Sequence, residues 1–447
     1  MRDVLRDAAE RAIRYVESLD DRPVAPSAAA IARLRELETP LPEGSSDPAE
    51  TIALLDSHSD AVMAMSGPRF FGFVIGGTLP AALAANWLAG AWDQNAAFFS
   101  ASPLVEKVED VALDWLVDLL GLPAGTGAGF VTGATMANFT CLAAARHAVL
   151  HDAGWDVESD GIFGAPPVTV VIGEEAHPSL IKALGMLGFG RNRVARVPVD
   201  DQGRMRADAF PDDLHAPAIV CLQAGNVNTG AFDPAGAIIP RAKSAGAWVH
   251  VDAAFGLWAA ASPRYAHLMA GYDGADSWAT DAHKYLNTPY DSGLAFVRDA
   301  ETLRSAMAVT AAYLPAPTVR DAASYTPELS RRARGLEVWA ALHSLGRAGV
   351  AELVERTCHH AQRFAEGLRA AGFAVLNEVV LNQVLVSFGD AATTERVIAT
   401  IQRDGVLWAG ITRWQGQTAM RISVSGWCTT DADVERSLAA ILRAARE

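Results

Sequence analysis

Short, nearly continuous apolar runs at residues 168–172, 218–222, 248–251 and 293–297 recur through the middle of this chain, each separated from the next by helical or loop sequence. Runs of that length, with at most one polar residue each, suit strands covered on both faces. Helical sequence between them supplies crossover connections, so the pattern predicts right-handed βαβ units and a mostly parallel sheet, an α/β fold. An amphipathic helix is expected over 103–120. The segment Gly127-Ala128-Gly129-Phe130-Val131-Thr132-Gly133 sits where a strand turns into a further helix. Open sheets of this kind bind ligands beyond the carboxyl ends of their strands, so the polar residues that close each run are the ones to inspect.

Four such stretches carry chemistry. Asp281-Ala282-His283-Lys284-Tyr285 holds one of only four lysines in a chain whose Lys and Arg total 37. Only a lysine amine can hold an aldehyde cofactor as a Schiff base. Upstream, Trp248-Val249-His250-Val251-Asp252-Ala253-Ala254 reads as a buried strand ending in a carboxylate, the partner that a pyridine nitrogen needs to stay protonated. Ala253 and Ala254 are small enough for a flat ring to lie against the backbone. Glu174-Glu175-Ala176-His177-Pro178-Ser179 places a histidine where it can stack on such a ring. Thr132-Gly133-Ala134-Thr135-Met136-Ala137-Asn138 offers small residues and a hydroxyl at a helix start, a setting that closes on an anion. Taken singly these have plain readings: a surface lysine, a hydrogen-bonded aspartate, a structural histidine and a threonine cap. Together they are mutually required by one cofactor, pyridoxal 5'-phosphate.

Composition narrows the classes. A chain of 447 residues allows two or three packed units, and half of it is apolar while a fifth is charged, as in ordinary globular proteins. A net charge of -15 argues against a nucleic-acid surface and against anchoring on anionic lipid. Cys141, Cys221, Cys358 and Cys428 show no paired spacing, so neither a metal site nor a disulfide framework is expected, and the cytoplasm is the expected compartment. The N-terminus lacks the apolar stretch of a signal peptide, and the most apolar window, 79–92, is too short to span a bilayer. There is no Walker lysine and no GxGxxG, so nucleotide readings have no support.

The chain resembles the pyridoxal-phosphate-dependent group II amino-acid decarboxylases, the aromatic-amino-acid, histidine and glutamate decarboxylase group. The resemblance runs from about residue 68 to about 425. Its anchors are Gly67-Pro68-Arg69-Phe70-Phe71, Ser102-Pro103, the stretch 132–146, Glu175-Ala176-His177, His250-Val251-Asp252-Ala253-Ala254 and Ala282-His283-Lys284. It implies the aspartate-aminotransferase-like fold type I, with a seven-stranded type of sheet in a large domain and a smaller α+β C-terminal domain. It further implies that Ala134 and Thr135 hold the cofactor phosphate with His283 nearby, that His177 stacks on the ring and that Asp252 pairs with its nitrogen. Ala254 would lie behind the ring, Lys284 would form the Schiff base, and Arg421 would take the substrate carboxylate, with Phe73 on the substrate side. The expected enzyme is a homodimer whose active site lies at the subunit interface, acting on a small-molecule amino-acid substrate that it decarboxylates to an amine.

By the same resemblance residues 1–78 form a helical arm on the partner subunit, 79–345 the cofactor domain and 346–447 the small domain. A helix is expected over 47–66. Relatives carry a tyrosine thought to protonate the alpha carbon, for which Tyr313 and Tyr325 are candidates here. Two departures stand out: Val227 where relatives often have threonine, and Asp281 where many have asparagine or serine. Aromatic substrates are slightly favoured by Phe70, Phe71, Phe73, Trp92, Phe98 and Phe99, which core and dimer packing would equally explain. Another lyase, an aldolase, a transaminase or an aldehyde-forming enzyme stays open on the same cofactor, and so does a catalytically silent binding protein.

Overall fold

A computed structural model describes residues 1–309 and 320–447, which pack as two units. One comprises Gly76–His359 with Asn377–Gln383, and the other Met1–Ile75, His360–Leu376 and Val384–Glu447.

The larger unit is built on a seven-stranded sheet of β1 (Gly127–Val131), β2 (Thr169–Gly173), β3 (Ala195–Val197), β4 (Ala218–Gln223), β5 (Trp248–Asp252), β6 (Ser277–Asp281) and β7 (Gly293–Val297). Their spatial order is β1-β7-β6-β5-β4-β2-β3. β2 pairs parallel with β3 and β4, β4 with β5, and β5 with β6, which is the expected mostly parallel sheet. β7 alone runs against its neighbours β1 and β6. Residues 282–292 form no helix, so the chain cannot cross over after β6 and must return antiparallel beside it.

Helices α1 (Pro103–Leu119), α2 (Ala134–Asp152), α3 (Pro178–Met186) and α4 (Ala235–Ser244) belong to this unit. α2 covers one face of the sheet. Its small residues Ala137, Cys141 and Ala144 let it approach Val131, Ala279 and Ala295, while Leu142, Val149 and Leu150 pack against Val170, Ile172 and Ile219. Each large side chain so buried contributes about 1.5–3 kcal/mol. β1, β6 and β7 are buried along their whole length, so their other face is covered as well.

The other unit carries a four-stranded sheet of β8 (Ala374–Val375), β9 (Gln383–Ser387), β10 (Gly410–Trp414) and β11 (Gln417–Ser423), in the order β10-β11-β9-β8. Helices α5 (Ala391–Asp404) and α6 (Asp431–Arg446) accompany it, the latter opened by a Thr430/Asp433 capping box. Buried Arg69 ties the glycine- and aromatic-rich segment of residues 67–73 to this unit. It donates to Asp433 (2.9 Å), to the Val406 carbonyl (2.9 Å) and to the Asp20 carbonyl (2.7 Å). Phe70 stacks on Trp408 with ring centroids 5.1 Å apart, and a Cβ on Gly72 would stand 2.1 Å from the same indole, so only glycine fits there. Phe73 and Val74 then adopt φ of 52° and 61°, a left-handed backbone that costs about 1–3 kcal/mol per residue and is held by this packing.

The helix expected over 47–66 stops early, at Asp56. Ser57 Oγ (2.7 Å) and His58 Nδ1 (3.0 Å) both bond the Leu54 carbonyl, offering the backbone an alternative to another helical turn. Among the described residues no helix is long and apolar enough to cross a membrane.

Candidate active site

A cavity of about 300 Å³ opens where β1, β2, β4, β5 and β6 end, the position that open parallel sheets reserve for ligands. Each strand delivers part of its wall. β1 leads into Thr132, Gly133, Ala134 and Thr135; β2 leads to His177; β4 supplies Gln223 and is followed by Val227. β5 ends in Asp252 with Ala254 and Phe255 beyond it, and β6 ends in Asp281 before His283 and Lys284. All seven residues expected to hold the cofactor therefore line one cavity.

One end is suited to an anion. Gly133 is the N-cap of α2 and has no side chain to accept from the first amides, which leaves them directed at whatever occupies the turn. The turn is tight: a Cβ on Gly293 would stand 2.4 Å from the Gly133 Cα. His283 and Asp281 flank it, since a Cβ on Gly133 would lie 3.4 Å from His283 Cε1 and 3.6 Å from Asp281 Oδ1. The Ser292 amide donates to His283 Nδ1 (3.2 Å), and the ring stacks on Tyr290 at 4.2 Å. Burial lowers the His283 pKa, with the Asp281 charge opposing it.

Lys284 Nζ lies 3.1 Å from Asp281 Oδ2 and 5.7 Å from the centre of the Phe255 ring. Asp281 Oδ1 is buried and has no hydrogen-bond partner among the described residues. The backbone around the lysine is closely approached by Gly76, where a Cβ would stand 1.9 Å from the Lys284 carbonyl oxygen.

Asp252 is buried at 3 % exposure. Burial raises its pKa, while the charges of His177 and Lys284 and a hydrogen bond from Asn138 Nδ2 to Oδ2 (3.2 Å) pull it down. His177 caps the N-terminus of α3, its Nδ1 accepting from the Ser179 amide at 3.2 Å, so its ring is oriented by local sequence.

Pyridoxal 5'-phosphate fits this arrangement. The cavity combines an amine, a buried carboxylate, an oriented imidazole and an uncapped helix start, and the small side chain of Ala254 leaves room beside the carboxylate.

The substrate-side residues Phe73 and Arg421 belong to the other unit. Phe73 is exposed and tilts onto Trp408 with centroids 5.1 Å apart. Arg421 lies on β11 opposite Gly410, and burial lowers its pKa; no carboxylate pairs with it among the described residues. Tyr325 is packed beneath the Arg320 guanidinium (4.6 Å) and does not line the cavity. Tyr313 lies outside the described residues. Sequence reasoning overlooked Gln223 and Phe255 as wall residues and Asn138 as the donor to Asp252. Asn138 had a signal, since it follows Ala134 by four residues and so shares its face of α2.

Comparison with known proteins bears on the family and the fold. Residues 45–389 match the model of the pyridoxal-dependent decarboxylase conserved domain. Tryptophan decarboxylase 1 of Oryza sativa subsp. japonica is 30% identical over 432 residues, covering 88% of this chain and 82% of the relative. An aromatic-L-amino-acid decarboxylase of Bacillus atrophaeus is 27% identical, covering 79% of this chain and 74% of the relative. The fold superposes on a crystal structure of Oryza sativa TDC with PLP and tryptamine at a TM-score of 0.92, with 24% identity over 100% of this chain and 97% of that one.

Proposed function

The chain belongs to the pyridoxal-dependent decarboxylases, and from that premise we propose that it removes the α-carboxyl of an aromatic L-amino acid as carbon dioxide, leaving an amine. The observation that carries this reading is the convergence of Lys284, Asp252, His177 and the uncapped start of α2 on one cavity. Pyridoxal 5'-phosphate, when bound, supplies an electrophilic carbon for amines and a ring that accepts the electron pair released as the carboxylate leaves.

The chain's own residues do the rest. The amides of Ala134 and Thr135, with the Thr135 hydroxyl, hold the phosphate, and His283 closes that end. Asp252 keeps its negative charge towards the ring nitrogen, and His177 covers the ring face. Lys284 Nζ, 3.1 Å from Asp281 Oδ2, is the amine nucleophile. Phe255, Ala254 and Val227 line the wall and exclude water, which strengthens every charge interaction inside. Arg421 binds the substrate carboxylate and Phe73 meets the side chain. Orientation of the scissile bond then selects carbon dioxide as the leaving group.

The same reading makes the enzyme a cytoplasmic homodimer with an interface active site. Residues 1–78 act as an arm on the partner, 79–345 as the cofactor domain and 346–447 as the small domain. Helix Arg2–Glu17 supports this, since it buries no residue and exposes Leu5, Ile13 and Val16, apolar surface that a second copy would cover. The test is a mass-spectrometric screen of the protein with pyridoxal phosphate against the protein amino acids plus DOPA and 2,4-diaminobutyrate. One aromatic amine with loss of carbon dioxide is the expected product. A keto acid, an aldehyde or a cleaved side chain would overturn the reaction, and a non-aromatic amine would overturn the substrate class.

A further inference from the structure

Asp252 is the last member of a buried hydrogen-bond chain that runs back through the sheet. Trp248 Nε1 donates to Ser277 Oγ at 2.9 Å. Ser277 Oγ lies 2.9 Å from His250 Nδ1, and His250 Nε2 lies 2.9 Å from Asn138 Oδ1. Asn138 Nδ2 closes the chain on Asp252 Oδ2 at 3.2 Å. Ser277, His250 and Asn138 are each 0% exposed, so no solvent can substitute for a missing partner.

The direction of every link is forced. An ionised Asp252 can only accept, so Asn138 must present its amide nitrogen to it and its oxygen to His250. His250 must then carry its proton on Nε2. Burial pushes the His250 pKa down to about 3, so the ring is neutral and Nδ1 is a bare acceptor. Ser277 must therefore donate its hydroxyl proton to Nδ1, and its lone pair takes the indole N–H of Trp248. Were Asp252 protonated on Oδ2, the oxygen that faces Asn138, and donating to it, the amide and the imidazole would both reverse. Ser277 would then receive two donors, from Trp248 and from His250, with its own proton left without an acceptor in a buried site. That state is disfavoured by the ordinary penalty for an unmade buried hydrogen bond.

We propose that Trp248, Ser277, His250 and Asn138 form a relay whose polarity, set at the indole end, keeps Oδ2 of Asp252 an acceptor and so favours its anionic form towards the cofactor. The four are positioning residues, and the proposal rests on the cofactor reading of the cavity. Because all four are neutral, the relay orients the carboxylate without cancelling its charge, which an arginine or lysine in the same place would do. Other titratable groups bear on Asp252 as well: His177 and Lys284 favour its ionised form, Asp281 opposes it, and the buried thiols of Cys141 and Cys221 feel its charge. None of these groups is itself replaced in a Trp248 or Ser277 variant, although Trp248 packs against the clusters that hold Cys141 and Cys221.

The experiment is equilibrium dialysis of the full-length protein against pyridoxal phosphate across about pH 5 to 8, for the wild type, Trp248→Phe and Ser277→Ala. Neither side chain lines the cavity, and thermal melts report whether each variant folds. Both variants are expected to move the acid limb of cofactor affinity upward by about one pH unit, a roughly tenfold weaker affinity at acid pH that shrinks towards pH 8. A loss of equal size at every pH, or none at all, in the folded variants would overturn the relay, because a packing role has no reason to follow proton concentration. Trp248→Phe is the milder change and decides the matter if Ser277→Ala fails to fold. A wild type that binds no pyridoxal phosphate would instead overturn the cofactor reading, and the relay with it.

Discussion

Two of the places where the larger unit buries carboxylates handle them in opposite ways. At the cavity, Asp252 receives one hydrogen bond from the neutral amide of Asn138 and keeps its charge for a ligand. Along α1, Glu109 is fully buried against the equally buried Arg331 at 3.1 Å. That arginine also donates to the carbonyls of Ala96 and Phe130, so it ties three segments together. Glu106, one turn earlier, accepts from the Ala322 amide at 3.0 Å, and its other oxygen has no partner among the described residues. Burial, and then the charge of Glu109, raise the Glu106 pKa to about 7. A carboxylate matched with a cation becomes structure, whereas one held by neutral dipoles keeps a field that chemistry can use.

The largest effect is expected where the cavity's own cation is removed. Lys284→Ala should lower kcat roughly 10⁴-fold or more in steady-state assays, with a smaller loss of melting temperature than Arg331→Met causes. A matching loss of stability would erase the distinction between the two places. Arg331→Met should do the reverse, costing about 3–5 kcal/mol in urea unfolding because Glu109 is left buried without its cation. Enzyme that stays folded at low temperature should keep its cofactor absorbance. Asp252→Asn keeps the shape and deletes the charge, so kcat/KM should fall roughly 10²- to 10³-fold with little change in unfolding free energy. The smallest effect belongs to Glu106→Gln. The unfolded chain releases this proton near pH 4.5 and the folded chain holds it to about 7, so stability is highest below that window and falls as pH rises through it. The substitution should flatten that fall by roughly 1–3 kcal/mol, read as denaturation midpoints at both ends of the window. An unchanged slope would show that Glu106 titrates normally.

Much of the larger unit was legible in chain order. The apolar runs at 168–172, 218–222, 248–251 and 293–297 correspond to β2, β4, β5 and β7, within one residue at each end. β6 was not foreseen, because Ser277, Thr280 and Asp281 break its apolar character, and the structure buries them all the same. The reversal of β7 was also hidden, since it depends on what residues 282–292 fail to form. The overestimate of the helix expected over 47–66 arose at Ser57 and His58, whose side chains compete with the backbone for one carbonyl.

The kinds of residue that could meet a cofactor, a scarce lysine, a strand-ending aspartate and a histidine ahead of a proline, were already present in the order of the amino acids, because strand ends and helix starts are local features. Their gathering on one cavity came from the parallel sheet, which aligns the ends of strands far apart in sequence. Asn138 and His250, 112 residues apart, meet only because α2 lies across β5, and Ser277 joins them because His250 and Ser277 are register partners in β5 and β6. Residue type and local pattern name the donors and acceptors. Which donor faces which acceptor, and so which way a proton must point, is set by packing in three dimensions.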